Sequence, residues 1–314
     1  MENSVYARVD INEALSMAPI RPRRGRAKAM LSLLRPRQWV KNGLVFAAPL
    51  AMAPAHLVHG PVPIFATFAA FTAASSVVYV LNDWLDRKRD LLHPEKRHRP
   101  LASGGVGPVG ALLLAGMCAV VLGVGLVVVP FDARLLIGAY LALNVAYCLG
   151  LKHQPLVDIS IVAAGFVLRV AAGSVAAGVP PDANLMICVY FSCLLLSLGK
   201  RRHELSMSLR STQAEDHRPS LRQYSVGLLD SLMMVSLAIT LVSYFLFLRD
   251  DMTFDHPMLA TLTLPFAVFA GARYLQLVVI HETGGEPSRD LARDRAMLLN
   301  AALWLGLLVV GVSV

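Results

Sequence analysis

The stretch VPIFATFAAFTAASSVVYVLNDWLDRKRD, residues 62–90, decides the fold. Up to Val80 it carries no charged side chain; from Asn82 onward it is dense with them: Asp83, Asp86, Arg87, Lys88, Arg89 and Asp90. An α-helix crossing a bilayer needs about 20 mostly apolar residues. The stretch therefore predicts a spanning helix over 62–82 whose far end emerges from the apolar layer as a charged helix.

The rest of the chain repeats the apolar half of this pattern. Further candidate spans are 42–59, 106–130, 133–151, 155–178, 184–199, 226–248, 257–280 and 296–313, about nine in all. Gly60-Pro61, Pro130, Pro155, Pro180-Pro181 and Pro257 punctuate their boundaries. Pro49 and Pro54 inside 42–59 predict a kink or break there. Overall 56% of the 314 residues are hydrophobic and only 16% are charged, where a soluble domain carries about 25% charge. The expected fold is all-α: a polytopic transmembrane bundle with polar cytoplasmic loops capping a central cavity.

The net charge of +8 fits this topology rather than nucleic-acid binding. Nine spans place 25 of the 29 Lys and Arg residues on one side; the other four are Arg134, Arg169, Arg249 and Arg273. By the positive-inside rule that side is the cytoplasm, with the N-terminus inside and the C-terminus outside. Residues 1–34 read as a flexible, basic cytoplasmic tail without the apolar core of a cleavable signal. Residues 35–314 read as one transmembrane catalytic domain in the plasma membrane.

Chemistry concentrates at the helix ends. At about 100° per residue, Asn82, Asp83, Asp86 and Asp90 share one face. Three carboxylates on one face repel unless cations compensate them, and hard oxygen donors suit magnesium, which takes the rest of its shell from water and phosphate. Lys96, Arg97 and Arg99 follow as candidate phosphate binders. The segment SLGKRRHELSMSLR, 197–210, places Ser197, Lys200, Arg201 and Glu204 on one face, while Arg202 reads as a headgroup anchor. One loop thus offers mainly carboxylates and another mainly cations, a pairing suited to a magnesium-diphosphate with further phosphate groups. In YCLGLKHQPLVDISIVAAGFVLRV, 147–170, Tyr147 and Lys152 lie at a cytoplasmic helix end. Asp158 and Arg169 lie inside the span on a common face, about 16 Å apart by rise. Such charges face a cavity, a substrate or a buried polar network. The segment RPRQWVKN, 35–42, adds Gln38 and Lys41 beside an interfacial Trp39.

Cys118, Cys148, Cys188 and Cys193 lie in apolar stretches without C-x-x-C spacing and read as packing residues. No G-x-S-x-G, P-loop or H-E-x-x-H occurs, and the histidines are scattered, which excludes the common hydrolase and zinc signatures.

Taken together, these residues resemble the UbiA superfamily of intramembrane prenyltransferases. Asn82-Asp83-x-x-Asp86-x-x-x-Asp90, followed by His93-Pro94 and Arg99-Pro100, looks like that family's first Asp-rich motif, and the resemblance runs from Arg35 to the last helix. Where the aromatic prenyltransferases carry a second Asp-rich motif, this chain has Gly199-Lys200-Arg201-Arg202-His203-Glu204. That departure, with RPRQWVKN, YCLGLKHQP and LARDRAMLL, is similar to the decaprenyl-phosphate phosphoribosyltransferase branch.

The resemblance implies magnesium-dependent transfer of 5-phosphoribose from phosphoribosyl pyrophosphate (PRPP) to a polyprenyl (decaprenyl) phosphate, giving a lipid-linked precursor of cell-wall arabinan. Asn82, Asp83, Asp86 and Asp90 would hold Mg2+. Lys96, Arg97, Lys152, Lys200 and Arg201 would meet PRPP phosphates, with Arg99 beside them. Tyr147 and Glu204 would bind ribose or orient those cations; Gln38, Lys41 and Arg169 would meet the acceptor phosphate. Asp83, Asp86, Lys152 and Tyr147 are the catalytic candidates. By analogy with that branch the protein is a homo-trimer. Two alternatives are weighed: an aromatic prenyltransferase using a polyprenyl diphosphate, and a transporter or lipid-binding protein without PRPP affinity.

Overall fold

In the computed structural model, residues 25–92, 96–210, 221, 223–249 and 261–313 are described. Among them every regular element is helical. Six helices are long and apolar enough to cross a membrane: α5 (Val62–Leu92), α6 (Pro108–Val128), α7 (Phe131–Leu149), α8 (Val157–Ala176), α9 (Ala183–Arg210) and α10 (Val226–Leu248). Two further apolar helices follow, α11 (Leu264–Val279) and, after the short α12 (Pro287–Arg293), α13 (Arg295–Ser313). Before them lie α1 (Arg26–Leu33), α2 (Pro36–Trp39), α3 (Ala47–Met52) and α4 (His56–His59).

Two expectations change, at 42–59 and in the N-terminal tail. The expected span 42–59 is not one helix. It runs as a 3-10 segment, Val40–Phe46, then α3, then a break at Ala53 before α4. Pro54 disfavours helical geometry at the residue before it, which ends α3. The polar helix end expected over 197–210 is continuous with the span 184–199, for α9 runs unbroken to Arg210. α5 likewise continues through the acidic motif to Leu92, so the motif is helical as its periodicity implied. The tail expected over 1–34 is helical from Arg26, with Ala29 and Leu33 buried; residues 1–24 and the His93-Pro94 pair lie outside the described residues.

The helices form two compact units. The first comprises the described residues up to Arg37 together with Ser76–Val120. Its core is Ala29 and Leu33 from α1, Val80 from α5, Leu101 and Val106 from the loop, and Ala111 and Leu114 from α6.

The second unit comprises Gln38–Ser75 and Val121 onward. One core joins Val45, Ile64, Phe71, Ile137, Tyr140 and Ala172; another joins Ile159, Leu198, Leu229, Met233, Tyr274 and Val278. α8 is the most enclosed span, packing on α7, α9 and the 3-10 segment. Local signals set the helix starts. The Asp182 carboxylate accepts from Leu185 N at 2.6 Å at the head of α9, Ser225 Oγ accepts from Leu228 N at 3.2 Å at α10, and Asp294 Oδ1 accepts from Met297 N at 2.9 Å at α13.

Gly173 lets α8 touch the 3-10 segment backbone to backbone. A β-carbon there would overlap the carbonyl of Val45. Gly173→Ala is therefore expected to destabilise the detergent-solubilised protein by about 1–3 kcal/mol through overpacking. Gly306, with open space around it, supplies the control: Gly306→Ala should leave the thermal midpoint level or slightly raised. Equal midpoints for both variants would refute the close approach.

Candidate active site

The acidic end of α5 belongs to the first unit. Asp83 and Asp90 lie two turns apart and are both buried, Asp83 to 3% exposure; Asn82 and Asp86 are half-buried, and Leu85, Lys88 and Arg89 are exposed. One face of the helix thus carries the acids inward. Their charge is balanced by arginines. Arg99 Nη1 donates to Asp83 Oδ1 at 3.2 Å and to Asp90 Oδ2 at 2.9 Å, and Arg35 Nη2 donates to Asp83 Oδ1 at 2.6 Å. Arg99, expected to meet phosphate, here pairs with both carboxylates. Arg35 was not among the expected site residues, because nothing in the spacing links it to Asp83. Arg87 turns back to the Trp84 carbonyl at 2.6 Å and stacks on the Trp84 ring. Lys96 and Arg97 sit exposed on a 3-10 turn, Lys96–His98.

This donor set fits a hard divalent cation. It offers four oxygen-bearing side chains from one helix, and the buried carboxylates already require compensating positive charge. Among the described residues no three His, Cys, Asp or Glu side chains form a closed metal cluster. Magnesium does not need one, since it commonly uses one or two carboxylates with water and substrate phosphates.

The cationic end of α9 belongs to the second unit. Arg201 is buried, pairs with the fully buried Asp158 of α8 at 2.9 Å, and also binds Glu204 one turn along. Tyr147, at the end of α7, lies within electrostatic range of Arg201. Lys152 is buried on the 3-10 turn Leu151–His153, while Lys200 is exposed. The link from Lys152 to Asp158 is strained: Leu156 has φ 63°, and its N–H donates to Tyr224 Oη at 2.6 Å. A left-handed β-unbranched residue costs of order 1 kcal/mol, and such strain collects at functional sites. The structure therefore joins Asp158, Arg201 and Glu204, with the end of α7 that carries Tyr147 in their neighbourhood.

Two arginines differ from expectation. Arg202 is no headgroup anchor; it is buried, bound to Asp230 at 2.6 Å and to the Val278 carbonyl at 3.1 Å, tying α9 to α10 and α11. Arg169, expected to meet the acceptor phosphate, is held in a buried network. Its Nε donates to Asn42 Oδ1 at 2.8 Å, Nη1 to the Gly165 carbonyl at 2.7 Å and Nη2 to Tyr140 Oη at 3.0 Å, with its guanidinium 4.5 Å from the Tyr140 ring centre. Asn42 in turn donates to Thr72 and Ser75 at 3.1 and 3.2 Å. This is the polar-network alternative, and hydrogen-bonded pairing is how a span tolerates a charge. Lys41, next to Asn42, is half-buried, as is Gln38.

Six helices of spanning length, two of them carrying charged residues at one end, mark an integral membrane protein of the all-helical kind. The chain belongs to the UbiA prenyltransferase family, whose sequence profile matches residues 43–281. It is 34% identical over 301 residues to the decaprenyl-phosphate phosphoribosyltransferase of Mycolicibacterium smegmatis, covering 91% of this chain and 92% of that protein. It is 33% identical to the protein of the same name from Corynebacterium glutamicum, covering 93% and 89%. A UbiA homolog from Archaeoglobus fulgidus, in its structure bound to GPP and Mg2+, superposes with a TM-score of 0.65 over 91% of this chain and 100% of that one, at 17% identity, which speaks to the fold alone.

Proposed function

We propose that this chain is a magnesium-dependent glycosyltransferase that moves 5-phosphoribose from PRPP to a polyprenyl (decaprenyl) phosphate and releases pyrophosphate. The single observation that carries the reading is the cationic end of α9. Arg201 sits buried there beside Asp158 and Glu204, and the relatives sharing a third of the sequence over nine-tenths of both chains bear the phosphoribosyltransferase name. A donor with a 1-diphosphate and a separate 5-phosphate needs more positive charge than a prenyl diphosphate does.

In this reading Asn82, Asp83, Asp86 and Asp90 hold Mg2+, which when bound supplies Lewis-acid stabilisation of the departing pyrophosphate. Lys96, Arg97, Lys152, Lys200 and Arg201 neutralise donor phosphates. Glu204 and Tyr147 orient Arg201 or the ribose. The C1–oxygen bond to pyrophosphate breaks as an acceptor phosphate oxygen bonds to C1 from the opposite face, inverting it. That phosphate is already anionic, so the chain supplies positioning and electrostatics rather than a general base. Gln38 and Lys41 remain the candidates for the acceptor phosphate. The site faces the cytoplasm from the plasma membrane, the product feeds cell-wall arabinan, and the enzyme is a homo-trimer.

Purified protein in detergent, given labelled PRPP, decaprenyl phosphate and Mg2+, is expected to form labelled lipid and to lose this activity in EDTA. Absence of lipid product from folded, magnesium-supplied protein overturns the donor assignment. A parallel arm with a polyprenyl diphosphate and 4-hydroxybenzoate should give none, and turnover there would favour aromatic prenylation.

A further inference from the structure

We propose that Arg35 is a charge-balancing residue of the metal site: it neutralises Asp83 before loading and transfers to the diphosphate when a divalent cation takes the carboxylate. The inference rests on the magnesium reading and extends it to the order of binding.

Asp83 is nearly inaccessible to water, and a buried carboxylate without positive charge beside it is costly. The chain supplies that charge twice on the same oxygen, from Arg35 at 2.6 Å and from Arg99 at 3.2 Å. Arg99 also serves Asp90, so it bridges two acids, while Arg35 serves Asp83. The backbone that presents Arg35 is fixed. Arg35 lies just past the end of α1 with φ 53°, its N–H donates to the Ser32 carbonyl at 3.2 Å, and Pro36 follows. α1 is pinned through buried Leu33. The guanidinium lies 5.0 Å from the ring centre of Tyr79, one turn before Asp83 on α5. A non-glycine residue in the left-handed region, overdetermined by its surroundings, is the kind of strain that functional sites retain.

The side chain itself is less confined, being more than a quarter exposed. A dication arriving at Asp83 Oδ1 would meet a guanidinium already there, and like charges a few ångströms apart repel strongly in a partly buried site. Arg35 must then leave that oxygen. A diphosphate on the same cation is the nearest new anion, and the planar guanidinium fork matches phosphate oxygens. Metal alone therefore competes with two arginines, whereas metal with diphosphate gives them a new partner. The two ligands should bind with positive coupling.

The test is Mn2+ titration of the full-length protein in detergent, read by electron paramagnetic resonance with and without inorganic pyrophosphate. Wild type should bind Mn2+ weakly alone and more tightly with pyrophosphate. Arg35→Gln should bind Mn2+ alone about tenfold more tightly, the worth of one lost charge-assisted bond, and the pyrophosphate enhancement should shrink by a similar factor. Arg35→Lys, which keeps the charge and loses the fork, should fall between wild type and Arg35→Gln, and it carries the test if Arg35→Gln fails to fold. Arg37→Gln, removing an exposed charge two residues away, should match wild type. Unchanged or weakened Mn2+ binding in both Arg35 variants overturns the proposal, as does equal tightening in Arg37→Gln. If wild type shows pyrophosphate-coupled binding but Arg35→Gln does not alter it, only the role of Arg35 falls. If wild type binds no Mn2+ even with pyrophosphate, the magnesium reading falls with it.

Discussion

Asp83→Ala is expected to lower phosphoribosyl transfer by at least about 10²–10³-fold, the usual loss when one preorganised electrostatic group of a transfer site is removed. The same is expected of Asp86→Ala. The concern with such a variant is that it merely unfolds, and the geometry argues against this for Asp83. Its two partners, Arg35 and Arg99, are 28% and 27% exposed, so water can take over their hydrogen bonds when the carboxylate is gone. The stability loss should stay near the ~1–3 kcal/mol of a partly buried charged hydrogen bond. Asp83→Asn removes the charge at constant shape and should lose as much turnover with less loss of thermal midpoint. Transfer at wild-type rates in folded Asp83→Asn and Asp86→Ala would remove these residues from the chemistry.

Asp158→Ala should produce the opposite balance, with a stability defect that dominates. Asp158 is fully buried, and Arg201 is almost so. Truncating one member of a buried pair leaves the other charge uncompensated, at a cost of about 3–5 kcal/mol. Glu204 still holds Arg201 from its exposed side, which places the expectation at the lower end of that range. Replacing both members with apolar residues, Asp158→Leu with Arg201→Met, should recover most of the thermal midpoint, since buried pairs often exchange for hydrophobic contacts at little cost. Transfer should be lost in the double variant even so, because the Arg201 charge is gone. Recovered activity alongside recovered stability would mean that Arg201 only holds α9 against α8.

The acid motif was legible because helical periodicity is a local property. Asp83 and Asp90, seven residues apart, were expected on one face, and both reach Arg99. What balances them was not legible, since Arg35 and Asp83 are 48 positions apart and no spacing rule joins them. The same limit applies to Arg202. Its place at a helix end fits a headgroup anchor until Asp230, 28 residues on, is packed against it. Hydropathy read the spans well where the apolar run was unbroken. It overcounted at 42–59, where the composition is apolar but Pro54 and the crossing with Gly173 shape the backbone into short pieces. It marked only the apolar parts of α5 and α9, whose polar ends were legible from helical periodicity instead, because a helix does not end where its hydrophobicity ends. Asp158, Arg201 and Glu204 come together from two helices, and the sequence presents Asp158 as a separate patch.

The order of partners along the chain has a consequence for synthesis. Chains are made and begin folding from the N-terminus. Arg169, the charge set deepest in the Asn42 network, finds Asn42, Tyr140 and Gly165 all upstream of it. The groups that accept its hydrogen bonds have already been translated when α8 leaves the ribosome. Asp158 and Arg202 are placed the other way round, for their partners Arg201, Asp230 and Val278 are translated after them. The nascent protein can thus close the network that holds α8 early, while the charged end of α9 waits for the helices that follow.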